Sequence, residues 1–297
     1  DVDQDQLIVT NGSDQAIEIV LRAFLNADDE MLMAEPGFPM FAQIAGVIGA
    51  RVKGIPYRIL QSEADLQTLE NKIVFPEQAF FQAIGPETKL VIMINPDNPT
   101  GVSIPLSTIE AVLKLRADLP VVVDEAYFEF TSGMTTQTSL ELLKTYPNLI
   151  ILRTFSKAFA MAGLRLGYIM ARPEIISQFY KIRGPFDVNS CALVAAEAQL
   201  DYDNEWRQYV KETMTVSKPW LENFFQENHV DYYPGAAHFM LVKPPNRDEA
   251  VDYLKKNNIL VRPMIAPSIS DTFRMNVGTL EQTQRFARVY TLYIEEG

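Results

Sequence analysis

The sequence predicts an α/β fold: a mostly parallel, doubly wound sheet followed by a smaller C-terminal α+β domain. Three observations point there. Strand-like apolar runs alternate with loops and helical spacing from residue 7 to about residue 190, the pattern of a parallel sheet with helices on both faces. Two of those runs, Leu90–Ile94 and Val121–Val123, are apolar without a break, as in strands buried on both faces. Past Gly184–Ser190 the pattern gives way to a long charged helical stretch and then to short strands. The division is expected at 197/198, with residues 1–197 forming the larger domain and 198–297 the smaller, both within the usual domain range.

In chain order, Leu7–Thr10 is the first strand. Asn11-Gly12-Ser13-Asp14 leads from it into a helix whose apolar side is Ile17, Val20, Leu21, Phe24 and Leu25. Ser13 and Asp14 thus sit at a helix N-terminus, where free N–H groups and the dipole favour an anion; taken alone, they also read as ordinary capping residues. Met31–Ala34 is a strand that ends in Glu35-Pro36-Gly37-Phe38-Pro39. That turn holds Phe38 where it can stack on a flat ring or simply join the core. Arg51–Tyr57 is a further strand, and residues 58–86 carry no readable motif.

Leu90–Ile94 runs into Asn95-Pro96-Asp97-Asn98-Pro99-Thr100-Gly101, whose prolines forbid a helix and set a sharp turn. A helix with Ile109, Val112, Leu113 and Leu115 on its apolar side follows. Val121–Val123 then delivers Asp124-Glu125-Ala126-Tyr127, which puts a carboxylate at the end of a buried strand. Leu149–Leu152 delivers Thr154-Phe155-Ser156-Lys157. A lysine just past a buried strand, amid small and apolar residues, bears a costly charge and a lowered pKa. A Schiff-base lysine is made that way. All these polar residues lie beyond the carboxyl ends of strands, where open α/β sheets bind ligands. In the C-terminal part, a helix through Ala192, Ala195, Ala196 and Leu200 precedes a charged helical stretch over residues 203–228. Short strands are expected at Val230–Tyr233, Phe239–Val242, Ile259–Arg262 and Phe273–Val277, with one helix through Val251 and Leu254 and another at the end.

Composition narrows the function class. A net charge of −12 over 297 residues disfavours nucleic acid and anionic membrane as partners. No apolar stretch approaches the length of a bilayer span. One cysteine, Cys191, excludes an internal disulfide and fits a reducing, cytoplasmic setting. Two histidines, His229 and His238, with no cysteine cluster, give no expectation of a metal site and little material for a Ser-His-Asp hydrolase. Asp1–Asp5 carries no initiator methionine and no leader, so the sequence reads as beginning inside a domain.

Together, Asn11-Gly12-Ser13-Asp14, Asn95–Gly101, Val123-Asp124-Glu125-Ala126-Tyr127 and Ser156-Lys157-Ala158-Phe159 with Gly163-Leu164-Arg165 resemble the fold-type I pyridoxal-phosphate aminotransferases. Gly184–Asn189 and Phe273–Thr279 are most similar to the histidinol-phosphate branch, and the resemblance covers nearly the whole chain. It implies pyridoxal 5′-phosphate as the cofactor. Lys157 would hold it covalently and move the substrate proton, and Asp124 would keep the pyridine nitrogen protonated. Asn98 and Tyr127 would meet the ring's phenolic oxygen, and Phe38 would stack on the ring. Ser13, the Asp14 N–H, Ser156 and Arg165 would hold the phosphate. Arg274 would meet a substrate carboxylate or phosphate, with Arg262 as a second anion contact.

The same resemblance implies histidinol phosphate as amino donor, 2-oxoglutarate as the 2-oxo acid acceptor, and a homodimer. Other readings stay open: aromatic amino-acid donors, decarboxylation of phosphothreonine on the same scaffold, or an inactive truncated relative. Family members carry several dozen residues ahead of the Asn11-Gly12 turn, so the front of the larger domain is expected to be missing.

Overall fold

The structure, a computed structural model, describes residues 2–60, 72–131 and 137–296. Seven strands build the main sheet: β1 (Leu7–Thr10), β2 (Glu30–Glu35), β3 (Arg51–Pro56), β6 (Thr88–Ile94), β7 (Val121–Asp124), β8 (Leu149–Thr154) and β9 (Gly167–Met170). A separate two-stranded ribbon pairs β4 (Arg58–Ile59) with β5 (Ile73–Val74). The order in the sheet is β1-β9-β8-β7-β6-β2-β3. Neighbours from β8 to β3 are parallel, and β9 runs antiparallel to both β8 and β1.

The unbroken apolar runs explain the layering. Side chains alternate across a strand, so Val121, Val123, Leu149 and Ile151 face one layer while Val122, Ile150 and Leu152 face the other. On the first face the helix Leu106–Leu115 packs Ile109, Val112 and Leu113. On the second, helix α1 (Gly12–Phe24) packs Ile17, Val20 and Leu21. Each such side chain, fully buried, contributes about 1.5–3 kcal/mol, and it does so only when strand and helix are both in place. Leu115, expected on the apolar side, is 52% exposed because its helix ends there. Leu200 is likewise exposed, whereas Ala192 and Ala196 of its helix Ser190–Asp201 are buried.

Two elements of the main sheet layer were not legible. Helix α2 (Pro39–Ile48) follows Phe38 directly; Pro39 at its first position punctuates a turn and equally suits a helix start. Strand β9 is four residues long and opens on a glycine, so it reads as the tail of the preceding turn. Part of the motif-free stretch folds as the β4–β5 ribbon and the helix Glu77–Ala83, and residues 61–71 lie outside the described residues.

The C-terminal sheet is antiparallel: β10 (Asp231–Tyr233), β11 (Phe239–Lys243), β13 (Phe273–Asn276) and β12 (Arg262–Pro263), in that order. Two expected strands start later than the apolar residues suggest, for one reason. Val230 and Ile259 each donate an N–H back to a carbonyl of the preceding helix, Phe225 and Leu254, at 2.9 Å. His229 and Asn258 take the left-handed conformation just before them. Both residues therefore finish a helix rather than begin a strand. The charged stretch over 203–228 is one continuous helical rod, with a π turn at Thr213–Ser217 between Asn204–Glu212 and Lys218–Glu227. Among the described residues no helix is long and apolar enough to cross a membrane.

The two sheets meet beside the 95–101 turn. Ala236 donates its N–H to the Gly101 carbonyl at 2.6 Å. A Cβ on Gly101 would lie 2.7 Å from the Gly235 backbone, and both glycines have positive φ. Only glycine lets the backbones approach this closely.

Candidate active site

A cavity of about 180 Å³ opens at the carboxyl ends of the parallel strands. The turn after β6 brings Asn98, the end of β7 brings Asp124 and Tyr127, and the turn after β8 brings Ser156 and Lys157. Phe38 enters from the β2–α2 junction, Ser13 and Asp14 from the first turn of α1, and Arg165 from the turn before β9. All nine residues expected around a cofactor line this one cavity. Ile94, Ala126 and Ala162 complete it; being apolar or small, they gave no chemical signal in the sequence.

The 95–101 turn is rigid because its polar side chains fold onto its own backbone. Asn95 exchanges two hydrogen bonds with the backbone of Ile104, at 2.8 and 3.1 Å. Asp97 accepts from the Thr100 N–H at 3.1 Å and from its hydroxyl at 2.5 Å. Asn98 is left at the apex. Its Nδ2 donates to the Tyr127 hydroxyl at 3.4 Å, and its Oδ1 accepts from Arg274 Nη1. Asn98 therefore joins the cavity to the C-terminal sheet.

Electrostatics set apart two groups on the cavity floor. Asp124 is buried, one oxygen accepting the Ala126 N–H at 3.0 Å. Burial pushes its carboxyl up to about 7, only partly offset by that hydrogen bond and by Lys157. Such a carboxylate calls for a cationic donor. Lys157 opens to the cavity. Desolvation by the surrounding walls lowers its pKa, the Arg274 guanidinium adds to the effect, and Asp124 and Asp14 oppose it. A lysine that gives up its proton more readily than usual is a better nucleophile and base. Burial also raises the Tyr127 phenol to about 12, so it stays a hydrogen-bond donor at neutral pH.

The other end of the cavity suits an anion. The first turn of α1 presents backbone N–H groups there. Arg165 reaches the same place, donating to Asp14 at 3.0 Å, to the Ala162 carbonyl at 3.0 Å and to Ser156 Oγ at 3.5 Å. Gly12, at φ +74°, leaves the room this guanidinium occupies; a Cβ would meet Arg165 Nη2 at 2.4 Å. The Asp14 side chain is thus an ion-pair partner of Arg165, a relation that its place in a helix N-terminus did not suggest.

Arg274 and Arg262 do not line this cavity. They stand opposite each other on β13 and β12 and line a neighbouring cavity of about 650 Å³ together with Arg285. No carboxylate among the described residues lines that second space. Arg274 reaches the first cavity through Asn98 and lies 5.2 Å over the Phe239 ring. Arg262 is exposed and, among the described residues, makes no comparable link to it.

The pKa shifts predict a pH dependence of stability. Asp97, Asp124 and Glu129 are each raised to about 7, in every case mainly by burial. Between about pH 4 and 7 the folded chain holds protons there that an unfolded chain has released. The unfolded state then binds fewer protons, so stability falls as pH rises through 7. His238, lowered to about 3 by burial and the Lys157, Arg274 and Lys218 charges, has the opposite sign, confined to pH below its ordinary 6.5. The cofactor-free chain should therefore lose urea resistance between about pH 6.5 and 7.5, below the range where Lys218, lowered to about 8 by burial, adds the opposite slope, with Asp97→Asn flattening the fall. A midpoint that rises over that interval would contradict these assignments.

Known proteins share this architecture. Residues 1–289 match the family described as aminotransferase class I and II. A histidinol-phosphate aminotransferase of Geobacillus sp. is 34% identical over 99% of this chain and 78% of its own length. The structure of histidinol-phosphate aminotransferase from Sinorhizobium meliloti, in complex with pyridoxal-5′-phosphate, superposes with a TM-score of 0.80. It is 24% identical and covers 97% of this chain and 78% of that one. An L-threonine-O-3-phosphate decarboxylase from Porphyromonas gingivalis has a TM-score of 0.81 at 21% identity, covering 99% of this chain and 85% of that one.

Proposed function

The chain belongs to the class I and II aminotransferases, which work with pyridoxal 5′-phosphate, and from that premise we propose that it transfers the amino group of histidinol phosphate to 2-oxoglutarate. The observation that carries the substrate reading is the pair of neighbouring cavities, linked by the Arg274–Asn98 hydrogen bond. The first holds a lysine, a carboxylate and an anion-binding end; the second holds three arginines and, among the described residues, no carboxylate. In a chain of net charge −12, such a space favours an anionic substrate. The names of its relatives point to histidinol phosphate.

The residues fit the cofactor group by group. The buried Asp124 carboxylate suits a protonated ring nitrogen, Phe38 suits the face of a flat ring, and Asn98 with Tyr127 suits a phenolic oxygen. Ser13, the Asp14 N–H, Ser156 and Arg165 suit a phosphate, which would share Arg165 with the Asp14 carboxylate. When bound, pyridoxal phosphate supplies an aldehyde that captures an amine and a ring that draws off the electron pair released at the substrate Cα. Lys157 Nζ is the anchoring amine, then the base that takes up the Cα proton and the acid that returns it. Asp124 holds a proton at the ring nitrogen throughout. Tyr127 donates from its hydroxyl, and Asn98 ties that hydroxyl to Arg274, which orients a substrate anion beside Arg262.

The division into a cofactor-binding domain over residues 1–197 and a smaller domain over 198–297, a cytoplasmic setting and a homodimer belong to the same proposal. Phe186, 94% exposed, and Val47, 83% exposed, support the dimer. Phe186 lies next to Asp187, which binds Gln15 of α1, and Val47 lines a groove with Gln15 and Asp14. Both thus flank the anion-binding end of the site.

One preparation tests the reading. Purified chain with pyridoxal phosphate should elute near twice its 33.6 kDa mass, and histidinol phosphate should bleach its visible band, with glutamate appearing once 2-oxoglutarate is added. Bleaching by tyrosine or phenylalanine alone would replace the donor with an aromatic amino acid. Carbon dioxide release from phosphothreonine would favour the decarboxylase reading, which the fold likeness also supports. A folded sample with no band would favour an inactive relative.

A further inference from the structure

Besides the Arg274–Asn98 bond, His238 brings the C-terminal part of the chain against the cavity residue Tyr127. His238 immediately precedes β11 and is nine-tenths buried. Its ring stacks on Phe130 at 3.9 Å and 23°, and lies 5.7 Å from the Tyr127 ring at 38°. Phe239, the next residue, meets Tyr127 edge-on at 5.0 Å and carries Arg274 on its face. Tyr127 is thus backed by two consecutive rings, His238 just before β11 and Phe239 as its first residue.

The backbone on both sides of His238 is held. Lys218, buried in the helical rod, donates to the Gly235 carbonyl at 2.5 Å and the Ala237 carbonyl at 3.0 Å. The His238 carbonyl accepts the Val277 N–H at 2.7 Å. Nδ1 of its ring, by contrast, is buried without a partner among the described residues, and His238 also borders the second, arginine-lined cavity. An unpaired buried acceptor costs free energy, so ring contact rather than polarity keeps the imidazole in place. Burial and the nearby cations keep it neutral, at about 3, and a neutral ring stacks as an aromatic.

The geometry points to His238 as a positioning residue that fixes the Tyr127 phenol from the C-terminal sheet through its flat face alone. This rests on the reading of Tyr127 as a cofactor contact. Two consequences follow. A residue with a flat apolar ring should replace His238, and one without a ring should not. And since the effect passes through Tyr127, it should vanish when the Tyr127 hydroxyl is absent.

The test is a double-mutant cycle on the cofactor-loaded chain. His238→Ala and His238→Phe are made alone and with Tyr127→Phe, reading the pyridoxal phosphate Kd from the visible band together with kcat and KM. His238→Ala should lower kcat roughly 10- to 100-fold, as a misplaced reacting group does. KM for both substrates should stay within about 2-fold and the cofactor Kd should rise about 10-fold, an expectation from the same loss of placement. His238→Phe should stay close to wild type, and His238→Ala should add nothing in the Tyr127→Phe background. Should the alanine variant fail to fold, His238→Leu fills the volume without a planar face. Equal losses in both backgrounds, or a phenylalanine variant as impaired as alanine, would overturn the inference. Wild-type chain that binds cofactor but transaminates no donor would instead overturn the proposed function, while the Kd cycle still reads His238.

Discussion

Replacing Lys157 by alanine should lower transamination by about 10⁴-fold or more, the upper range for losing a general acid–base group, while leaving a chain that still takes up pyridoxal phosphate. The two effects separate because the groups that would hold the cofactor are spread around the cavity. Asp124, Asn98, Tyr127, Ser156 and Arg165 all line it and stay in place. Lys157 opens to the cavity, 5.4 Å over the Tyr127 ring, and its charge partly offsets that of Asp124. Its removal relieves one desolvated charge and leaves the Asp124 carboxyl to hold its proton more readily instead, so the fold should be kept. Equilibrium dialysis against the cofactor and single-turnover assays on one preparation check both halves. A variant keeping a tenth of wild-type turnover would show that another group moves the proton.

Replacing Asp124 by asparagine should cost about 10³-fold in turnover, the scale for removing a preorganised charge from a dry site, and should at the same time stabilise the cofactor-free chain at pH 8. The carboxylate is buried at the end of β7 with its pKa raised to about 7, so above that pH the empty fold confines a charge it stabilises poorly. Asparagine keeps the shape and removes the charge. The same strain serves the loaded site, where the carboxylate meets a ring nitrogen it can keep protonated. Opposed movement of activity and urea midpoint would identify Asp124 as a residue kept for function at the expense of stability. If both fall together, its role is structural instead.

Much of this was legible because the sheet demands continuity. A strand buried on both faces must be apolar throughout, so Leu90–Ile94 and Val121–Val123 announced themselves, and the polar residues just past them could only face the crevice. Short elements were lost where local chemistry has two uses. Pro39 begins a helix but also punctuates a turn, and Gly167 opens β9 only two residues past the Gly163-Leu164-Arg165 turn. Val230 and Ile259 have strand-forming side chains, yet their N–H groups complete the preceding helices. In the site, the sequence could place residues at strand ends but could not show long-range partners. The Asp14–Arg165 pair spans 151 positions and the Asn98–Arg274 bond 176. The role of His238 was hidden for a similar reason: what it touches, Tyr127 and Phe130, comes from the segment past β7, more than 100 positions earlier.

The central claim is that Lys157 is the cofactor-bearing amine. Its most direct test is borohydride reduction of the chain loaded with pyridoxal phosphate, followed by proteolysis and mass spectrometry. The account predicts loss of the visible band and a single reduced cofactor adduct on the peptide carrying Ser156-Lys157-Ala158-Phe159. An adduct on another lysine, such as the buried Lys218, or a folded chain that forms no adduct, would contradict it.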